Sequence, residues 1–419
     1  MDMAKPKIRF NGYTEDWEQR KLGDILIGLQ NNTLSRAELS TEAGVAKNVH
    51  YGDVLIKFGE VLDVSKEKLP MISDESVLSK YKSSFLQNGD VIIADTAEDS
   101  TVGKCSEIAG LDDEVVLSGL HTIPYRPIEK FASGYLGYYL NSSAYHNQLL
   151  PLMQGIKVTS ISKAAMQDTD IVYPKSVKEQ GKIGDYFRNL DTLITLHQRK
   201  CEQTKTLKKY MLQKMFPQDG EKVPQIRFEG FTEDWEQRKL GDVFEQTSNL
   251  VNPKEDEIEL WSLTVEDGLT KKSDRYNREF LVKKDDNFKE VRPGDIVYNP
   301  MNMTLGAVGY NGMAKSVAVS GYYTTMVAKE NYDTYYINTW LKSPQAIRLY
   351  RTYATGSLIE KQRVQFPTLS IIPVAFPKYE EQTKIGNYFH FLDNLITLHQ
   401  RKCDELKEVK KFMLQNMFV

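Results

Sequence analysis

The sequence contains little cysteine and no long apolar run, and both absences exclude classes of protein. Only three cysteines occur among 419 residues, which is too few for a disulfide framework or a four-cysteine zinc site. No run of about 20 apolar residues could span a bilayer, and the N-terminal segment lacks the apolar centre of a signal peptide. We therefore expect a cytoplasmic protein without a membrane partner.

An excess of charge of one sign is also missing, as are the usual catalytic motifs. The 54 Lys and Arg residues nearly balance 57 Asp and Glu residues, which argues against nonspecific binding of polyanions by the whole surface. There is no phosphate-binding loop, dinucleotide-binding glycine motif or nucleophile elbow. The six histidines show no metal-ligand spacing. We expect no catalytic, metal-binding or cofactor-binding residues in this chain.

One four-residue segment deserves separate mention because it partly matches a catalytic motif. Asn299-Pro300-Met301-Asn302 is similar to the Asn-Pro-Pro-aromatic motif with which amino-methyltransferases hold a flipped base. The second proline and the aromatic residue are both missing, and no glycine-rich cofactor motif precedes the segment. We therefore interpret it as a turn at the end of a strand.

A long amphipathic segment occurs twice. Lys182–Phe216 and Lys384–Phe418 are displaced by 202 residues without a gap, and sixteen of their first twenty positions match. Apolar or small residues recur at 4-3 spacing, which predicts helices with a coiled-coil seam. The seam residues are Ile183, Phe187, Leu190, Ile194 and His197 in the first copy and Ile385, Phe389, Leu392, Ile396 and His399 in the second.

We predict long helices at residues 177–217 and 377–419 that pair with each other. Related seams offer one another matching surfaces over their whole length, whereas the alternative is that each helix packs on its own domain. Ser176 and Glu179 fit a capping box at the start of the first helix. His197 and His399 fall near the helix midpoints, so we expect a polar pair there that fixes the register.

A second repeat opens each half of the chain. Only three of nineteen positions differ between Pro6–Asp24 and Pro224–Asp242. Each block begins a variable domain, and these domains occupy residues 1–176 and 218–376. Direct identity between the domains nearly vanishes, yet patterns such as Ser118-Gly119-Leu120-His121-Thr122 and Ser320-Gly321-Tyr322-Tyr323-Thr324 correspond. We expect a shared α+β fold with a curved antiparallel sheet and different surfaces.

In each half of the chain, nearly identical end segments flank a divergent centre. This contrast needs an explanation, because sequence change after a single duplication would affect all parts alike. Recombination could have homogenised the blocks or introduced a foreign domain, and this alternative stays open. The functional interpretation is that the constant parts contact the same partner twice, while the variable parts contact two different ligands.

Polar and basic loops in the variable domains are candidates for nucleic-acid contacts, because their side chains are those that read base edges and phosphates. Any solvated loop can also have this composition. In the first domain the candidates are Asn31, Asn32, Ser35, Arg36, Gln154, Lys157, Thr159, Ser160 and Lys163. In the second domain they are Thr247, Asn249, Arg348, Arg351, Tyr353, Ser357, Lys361 and Arg363.

The whole layout resembles the specificity (S) subunit of type I restriction-modification systems. One motif that carries the resemblance is W-E-x-x-K/R-L-G-D, present as Trp17–Asp24 and again as Trp235–Asp242. The other is a P…EQ…I…F…LD pattern in both halves. Its residues are Pro174, Glu179, Gln180, Ile183, Phe187, Leu190 and Asp191, then Pro377, Glu381, Gln382, Ile385, Phe389, Leu392 and Asp393.

The resemblance implies a non-catalytic subunit with circular, pseudo-two-fold internal symmetry. Two target-recognition domains would bind the halves of a bipartite, asymmetric double-stranded DNA sequence, separated by two long antiparallel coiled-coil helices. Two methyltransferase (M) subunits would dock on the repeated parts, including the seam residues given above, and restriction (R) subunits would join them. S-adenosylmethionine, Mg²⁺ and ATP would enter through these partners, and this chain would bind no cofactor.

Two rival functions remain compatible with the residues themselves. A structural adaptor could use its two variable domains to bind two different proteins. A stand-alone methyltransferase would have to bind the cofactor by itself, which the missing motifs disfavour. Individual base-reading residues do not follow from the resemblance, because the recognition domains differ between members of the family.

Overall fold

The structure is a computed structural model that describes residues 5–218, 220–271, 287–356 and 362–419. The chain forms two compact units. The first unit contains Met1–His197 together with Arg401–Val419, and the second contains Gln198–Gln400. Each unit therefore comprises one repeated block, one variable domain and a half of each long helix.

The first variable domain mixes short strands and short helices. Its strands are β1 (Glu18–Lys21), β2 (Leu26–Gly28), β3 (Ala46–Val49), β4 (Val61–Asp63), β5 (Met71–Ile72), β6 (Val91–Ala94), β7 (Thr96–Ala97), β8 (Cys105–Ala109), β9 (Val116–Ser118), β10 (Thr122–Pro127), β11 (Thr159–Ser160) and β12 (Asp170–Tyr173). Its helices are α1 (Leu22–Ile25), α2 (Tyr51–Ile56), α3 (Glu75–Tyr81), α4 (Tyr135–Leu140), α5 (Ser143–Leu149) and α6 (Lys163–Gln167), and the long helix α7 (Val177–Lys214) follows.

The second variable domain has the same kind of composition. Its described strands are β13 (Glu236–Lys239), β14 (Phe244–Thr247), β15 (Leu250–Val251), β16 (Trp261–Thr264), β17 (Gly268–Lys271), β18 (Phe288–Val291), β19 (Ile296–Tyr298), β20 (Val308–Tyr310), β21 (Val317–Ser320), β22 (Thr324–Ala328) and β23 (Pro373–Phe376). Its helices are α8 (Leu240–Val243), α9 (Thr334–Leu341), α10 (Pro344–Tyr353) and α11 (Phe366–Ser370), and the long helix α12 (Tyr379–Asn416) follows.

The central sheets of the two domains share four strands in the same order, and the first sheet has β4 in addition. In the first unit the order is β2-β10-β6-β8-β4, and in the second it is β14-β22-β19-β20. The strand after the repeated block thus pairs with the strand after the Ser-Gly turn, which pairs with the central strand. The predicted α+β class is confirmed, but the first unit is not wholly antiparallel. There β3 pairs in parallel with β9, and β4 with β8.

The repeated block is fastened to the start of the long helix by a bidentate ion pair in each unit. Arg9 donates to Glu179 at 2.6 and 2.9 Å, and Arg227 donates to Glu381 at 2.7 and 2.8 Å. Both glutamate side chains are only 2% exposed. The predicted capping box at Ser176 is therefore half formed, because the Glu179 carboxylate is used by the arginine instead.

The long helices pair in antiparallel orientation within each unit. In the first unit, Phe187 stacks on Phe418 with ring centroids 5.7 Å apart. In the second unit, Phe389 stacks on Phe216 at 6.0 Å. The start of one helix therefore packs against the end of the other, and most seam residues are buried. Ile396, His197 and His399 are half-buried, and the proposed histidine pair stays a prediction.

The two ends of the chain meet in the first unit. The Ile8 amide donates to the Asn416 carbonyl at 2.9 Å, and in the second unit Ile226 donates to Lys214 at 3.0 Å. Trp17 shares a buried core with Phe418, which places the first repeated block beside the end of the second long helix. No helix within the described residues has the length and apolar character needed to cross a membrane.

Candidate nucleic-acid interface

Four segments of the first unit meet at one edge of its central sheet. We call residues 29–36, 95–97, 118–122 and 154–160 the first loop edge. The Asn31 amide donates to the Gly119 carbonyl at 3.2 Å, and the Asp95 amide donates to the His121 carbonyl at 3.1 Å. Ser160 pairs with Thr96 through the short β7-β11 ladder. The candidate residues that follow β2 and those around β11 are thereby brought together.

The second unit forms the corresponding edge from equivalent segments. The second loop edge consists of residues 247–249, 299–302, 320–323, 355–356 and 362–363, and residues 357–361 lie outside the described residues. The Thr325 hydroxyl donates to the Thr247 carbonyl at 2.8 Å, and Thr324 pairs with Tyr298, just before Asn299. The Val364 amide donates to the Pro300 carbonyl at 2.9 Å, which places the glycine loop here as well.

The glycine-containing loops are closed in the same way in both units. Gln154 and Ser160 exchange backbone hydrogen bonds of 2.9 and 2.8 Å, and Thr355 and Arg363 exchange bonds of 3.0 and 2.9 Å. A glycine with positive φ follows the first member of each pair, at +115° for Gly155 and +124° for Gly356. The left-handed backbone favours glycine at these positions.

Several candidates in the first loop are exposed, while the last one is not. Gln154, Lys157 and Ser160 are exposed and Thr159 is half-buried. Lys163 instead directs its ammonium at the Leu29 carbonyl, 3.2 Å away. Burial lowers the pKa of this lysine. We therefore interpret Lys163 as an anchor for the segment that follows β2.

The assignment of Asn32 to DNA contact is corrected by the structure. Its side chain is fully buried and donates to Asn48 at 2.6 Å and to the Ser118 carbonyl at 2.8 Å. Its oxygen accepts the Leu34 amide at 3.2 Å. A buried amide whose bonds are satisfied within the protein organises the loop and does not reach a base.

Ser35 and Arg36 lie on the surface but already have partners. The Ser35 hydroxyl donates to the Glu38 carboxylate at 2.7 Å, and the serine caps a short 3-10 helix. Arg36 forms an ion pair with Asp53, and its side chain is 56% exposed. Exposed ion pairs contribute little to stability, so Arg36 can exchange this partner for a phosphate.

The second-domain candidates fall into two places. Thr247, Asn249 and Arg363 belong to the second loop edge. Arg348 lies on α10, where it donates to Gln218 at 3.2 Å, and this contact places it beside the segment that follows α7. Arg351 and Tyr353 lie near the end of the same helix, and Tyr353 packs against the core. Ser357 and Lys361 lie outside the described residues.

A groove of about 510 Å³ opens at the first loop edge. Its walls combine amide, hydroxyl and amine groups with a carboxylate, which suits polar recognition better than apolar binding. The lining residues are Leu29, Gln30, Asn31, Lys80, Tyr81, Asp95, Thr122, Ile123, Pro124, Ile161, Ser162 and Lys163. Lys80 was not a sequence candidate, because α3 is distant from the other segments along the chain.

His121 is another residue at the first edge that the sequence did not single out. Its backbone is left-handed, with a φ of +54°, and its ring meets the Tyr51 ring edge-on with centroids 5.2 Å apart. Its Nδ1 lies 3.4 Å from the Asp95 carboxylate and 3.5 Å from the Thr96 hydroxyl. The only sequence signal was its place in the Ser-Gly pattern shared by the two domains.

The segment at Asn299 is a turn, as interpreted from the sequence. The Asn299 side chain accepts the Met301 amide at 3.0 Å, and its carbonyl accepts the Asn302 amide at 3.0 Å. The asparagine oxygen is therefore used to close the turn. The described residues include no cluster of three or more His, Cys, Asp or Glu side chains placed to hold a metal ion.

The paired helices expose an apolar patch in each unit. The first helix patch is Leu193, Leu196, Val409 and Phe412, and the second is Leu207, Tyr210, Phe391 and Leu398. Each of these side chains is 42 to 57% exposed. Leu196 and Leu398, Leu207 and Val409, and Tyr210 and Phe412 are equivalent in the repeat. Exposed apolar surface of this kind marks an interaction site.

The seam residues were assigned both to the helix pair and to M-subunit contact, and the structure supports the helix pair. Seam residues such as Ile183, Phe187 and Leu190 are buried inside the chain, so a partner has no access to them. Their role is helix pairing. The variable domain covers another side of the helix, where the Tyr138 hydroxyl donates to Asp191 at 2.7 Å.

Comparison with known proteins agrees with this geometry. A family model described as the type I restriction modification DNA specificity domain matches residues 14–206 and again residues 232–408. A Methanocaldococcus jannaschii protein assigned as the MjaX type I restriction enzyme specificity subunit is 23% identical over 97% of this chain and 93% of its own length.

A solved structure shows the same fold. The crystal structure of the S subunit of a type I restriction-modification system from M. genitalium superposes with a TM-score of 0.63 at 13% identity, and 99% of each chain is covered. The family model accounts for most of the sequence in two copies, one in each half. The chain therefore belongs to the family of type I restriction-modification specificity subunits.

Proposed function

We propose that this chain reads a bipartite, asymmetric sequence in double-stranded DNA through its two loop edges. The observation that carries the proposal is that the two loop edges have equivalent backbone segments but different side chains. Both edges are built from four corresponding segments, yet their side chains differ almost everywhere. Two readers of one architecture and different surface chemistry suit two different half-sites.

The side chains at the edges have the chemistry that base recognition requires. Gln30, Asn31 and Gln154 present amides, Ser160 presents a hydroxyl, and Lys157 presents an amine at the first edge. Amides and hydroxyls bind base edges in the major groove, and lysine and arginine bind both guanine and phosphate. Because the formal net charge is −3, we expect weak DNA affinity for this subunit alone.

The same proposal assigns the repeated surfaces to two M subunits. Three of the four residues in each helix patch recur at equivalent positions, so two copies of one partner would find two similar docking sites. R subunits would complete the assembly. S-adenosylmethionine, Mg²⁺ and ATP would be bound by these partner subunits, and the present chain would act as reader and scaffold.

The test is a gel-shift assay with this chain and its M subunit on duplexes from a randomised library. We expect retained duplexes to share two different half-sites at a fixed separation, with binding that weakens as salt rises. Methylation-site sequencing of DNA exposed to the complex should give the same sequence. Retention without sequence preference would contradict the proposal and would favour the adaptor function, in which the variable domains bind proteins.

A further inference from the structure

The turn before β10 and the turn before β22 begin and end with the same residue types. Ser118 and Ser320 each end a strand and are followed by a glycine, and a buried threonine, Thr122 or Thr324, begins the next strand after two further residues. We call this serine, glycine and threonine the frame of the turn. In the first unit this frame is closed by a hydrogen bond of 2.6 Å between the Ser118 and Thr122 hydroxyls. The same frame residues thus surround a different pair of residues in each turn. We call this pair, between the glycine and the threonine, the tip.

Neither glycine of the frame can be replaced without a clash. A Cβ atom on Gly119 would lie 2.8 Å from the Val49 carbonyl oxygen, and one on Gly321 would overlap the Asn287 carbonyl oxygen. The Gly321 amide donates to that same Asn287 carbonyl at 2.9 Å. Close backbone packing therefore explains why two otherwise divergent domains keep this part of the turn.

The tips of the two turns are entirely different. The first is Leu120-His121 and the second is Tyr322-Tyr323. The His121 side chain is 47% exposed, and Tyr322 is 89% exposed. A fixed frame with different exposed residues is the arrangement expected where two domains of one fold discriminate between two ligands.

His121 is held in a costly conformation by a set of specific contacts. Positive φ in a residue other than glycine is strained and is concentrated at functional sites. The backbone is fixed by the bond from the Asp95 amide to the His121 carbonyl. With Nδ1 directed at Asp95 and Thr96, Nε2 is the ring nitrogen left to bind a ligand.

Tyr322 differs from His121, because nearly its whole side chain is exposed to solvent in the folded protein. The backbone beside it is nevertheless ordered, since the Lys289 ammonium donates to the Tyr323 carbonyl at 2.7 Å. An aromatic side chain buries roughly 150 to 250 Å² when it finds a partner. A tyrosine side chain has only two χ angles, so ordering it on binding costs little conformational entropy, which suits a contact residue.

We propose that the tips of these two turns are base-reading elements, with His121 discriminating within one half-site and Tyr322 within the other. The proposal rests on the proposed function and names the residues that give it sequence specificity. His121 binds a base edge in the major groove through Nε2. Tyr322 contacts base edges of the second half-site with its ring and hydroxyl.

The experiment measures binding of the complex with M subunits to a panel of duplexes in which each base pair of the site is changed in turn. His121→Ala and Tyr322→Ala should each lose roughly tenfold or more of the preference at one or two adjacent positions. The affected positions lie in different half-sites for the two variants. The other half-site keeps its wild-type preferences, which serves as an internal control.

Two further variants separate base reading from folding. His121→Asn keeps a residue type that tolerates left-handed backbone, and it should still change the preferred base. Asn331→Ala is the matched control, because Asn331 also has positive φ, +70°, but lies beyond the far end of β22. It should lower thermal stability at most and leave every base preference unchanged.

Each outcome of the experiment decides a different question. If His121→Ala and Tyr322→Ala leave all preferences unchanged, or weaken binding equally on every duplex, the turns contact only the DNA backbone or nothing, and this inference is wrong. If the wild-type complex itself shows no base preference, the proposed function fails instead. A local loss of preference supports both.

Discussion

Asp191 accepts hydrogen bonds from two different elements, the Lys410 ammonium of α12 at 2.6 Å and the Tyr138 hydroxyl at 2.7 Å. One carboxylate on α7 thereby fastens the helix to its partner helix and to the variable domain. Asp393 on α12 has the same two kinds of partner, Lys208 of α7 and Tyr335. The repeat has thus kept a three-way contact in each unit.

Replacing Lys410 by methionine should destabilise the first unit by about 1 to 3 kcal/mol. Lys410 also lies 2.8 Å from Glu60, so its loss leaves two half-buried carboxylates without their cation. Burial already raises the pKa of Asp191, and the variant should raise it further. Urea unfolding checks the prediction. Lys411→Met at the exposed neighbouring position is the matched control and should change stability by less than about 0.5 kcal/mol.

Acid should weaken the first unit through His50. Its Nδ1 accepts the Gly52 amide at 3.2 Å and caps α2, a contact that requires the neutral ring. Burial, assisted by the nearby charge of Arg36, lowers the pKa of His50 below its ordinary 6.5. The unfolded chain therefore binds more protons than the folded one just below pH 6.5, and stability falls as the pH drops through that range.

His50→Asn tests this interpretation, because asparagine caps helices well but does not titrate in this range. The difference in melting temperature between pH 7.5 and pH 5.5 should be smaller in the variant than in the wild type. An equal difference in both proteins would show that groups other than His50 dominate the acid response.

The periodic and repeated parts of the molecule could be predicted from sequence, since each signal extends over many residues. The antiparallel helices, the shared α+β fold and the turn at Asn299 all follow from such patterns. The parallel pairing of β4 with β8 could not be predicted, because it depends on contacts between distant, short strands. Asn32 was predicted to lie on the surface because asparagine is common in loops. In the structure its side-chain amide is buried and donates to the Ser118 carbonyl.

The exposure of the helix patches could not be predicted from the sequence. Heptad spacing places Phe187 in the seam, but it does not say whether Leu193, an apolar residue outside the seam, is covered by the rest of the chain. The structure separates them by burial, with Phe187 inaccessible and Leu193 42% exposed. The same reasoning directs the next prediction to the helix patches.

Each helix patch should account for one bound M subunit. Leu196→Glu, or its repeat equivalent Leu398→Glu, should reduce the stoichiometry to one M subunit per chain, because a buried unpaired charge in an interface is costly. The double variant should bind none. Size-exclusion chromatography with light scattering measures the stoichiometry directly.

The matched controls for this prediction are Thr195→Glu and Thr397→Glu, which introduce the same charge at the neighbouring exposed positions. They should still bind two M subunits. Full binding by the Leu196 and Leu398 variants would mean that the M subunits dock elsewhere, for example on the repeated N-terminal blocks alone.

A circularly permuted chain should keep the function, because segments near both ends of this sequence lie together in the first unit. Ile8 and Asn416 are hydrogen-bonded through their backbones, so a short glycine-serine linker can join the termini. New ends can be opened between Gln218 and Gly220, which follow α7. We expect unchanged sequence preference in the gel-shift assay with M subunits. Loss of folding would show that the order of block and helix along the chain matters more than their contact.

Lengthening both long helices should lengthen the unread gap between the half-sites without changing either of them. Duplicating residues 198–204 of α7 and 394–400 of α12 adds seven residues to each helix beside the boundary between the units. Seven residues extend a helix by about 10 Å, which corresponds to roughly three base pairs of DNA. A full heptad also preserves the seam, so the helices can still pair.

Methylation-site sequencing measures the length of the gap. Duplication in one helix alone is the control, because the unmatched seam should destabilise the protein. A gap of unchanged length in the doubly extended protein would mean that the helices do not set the distance between the two readers.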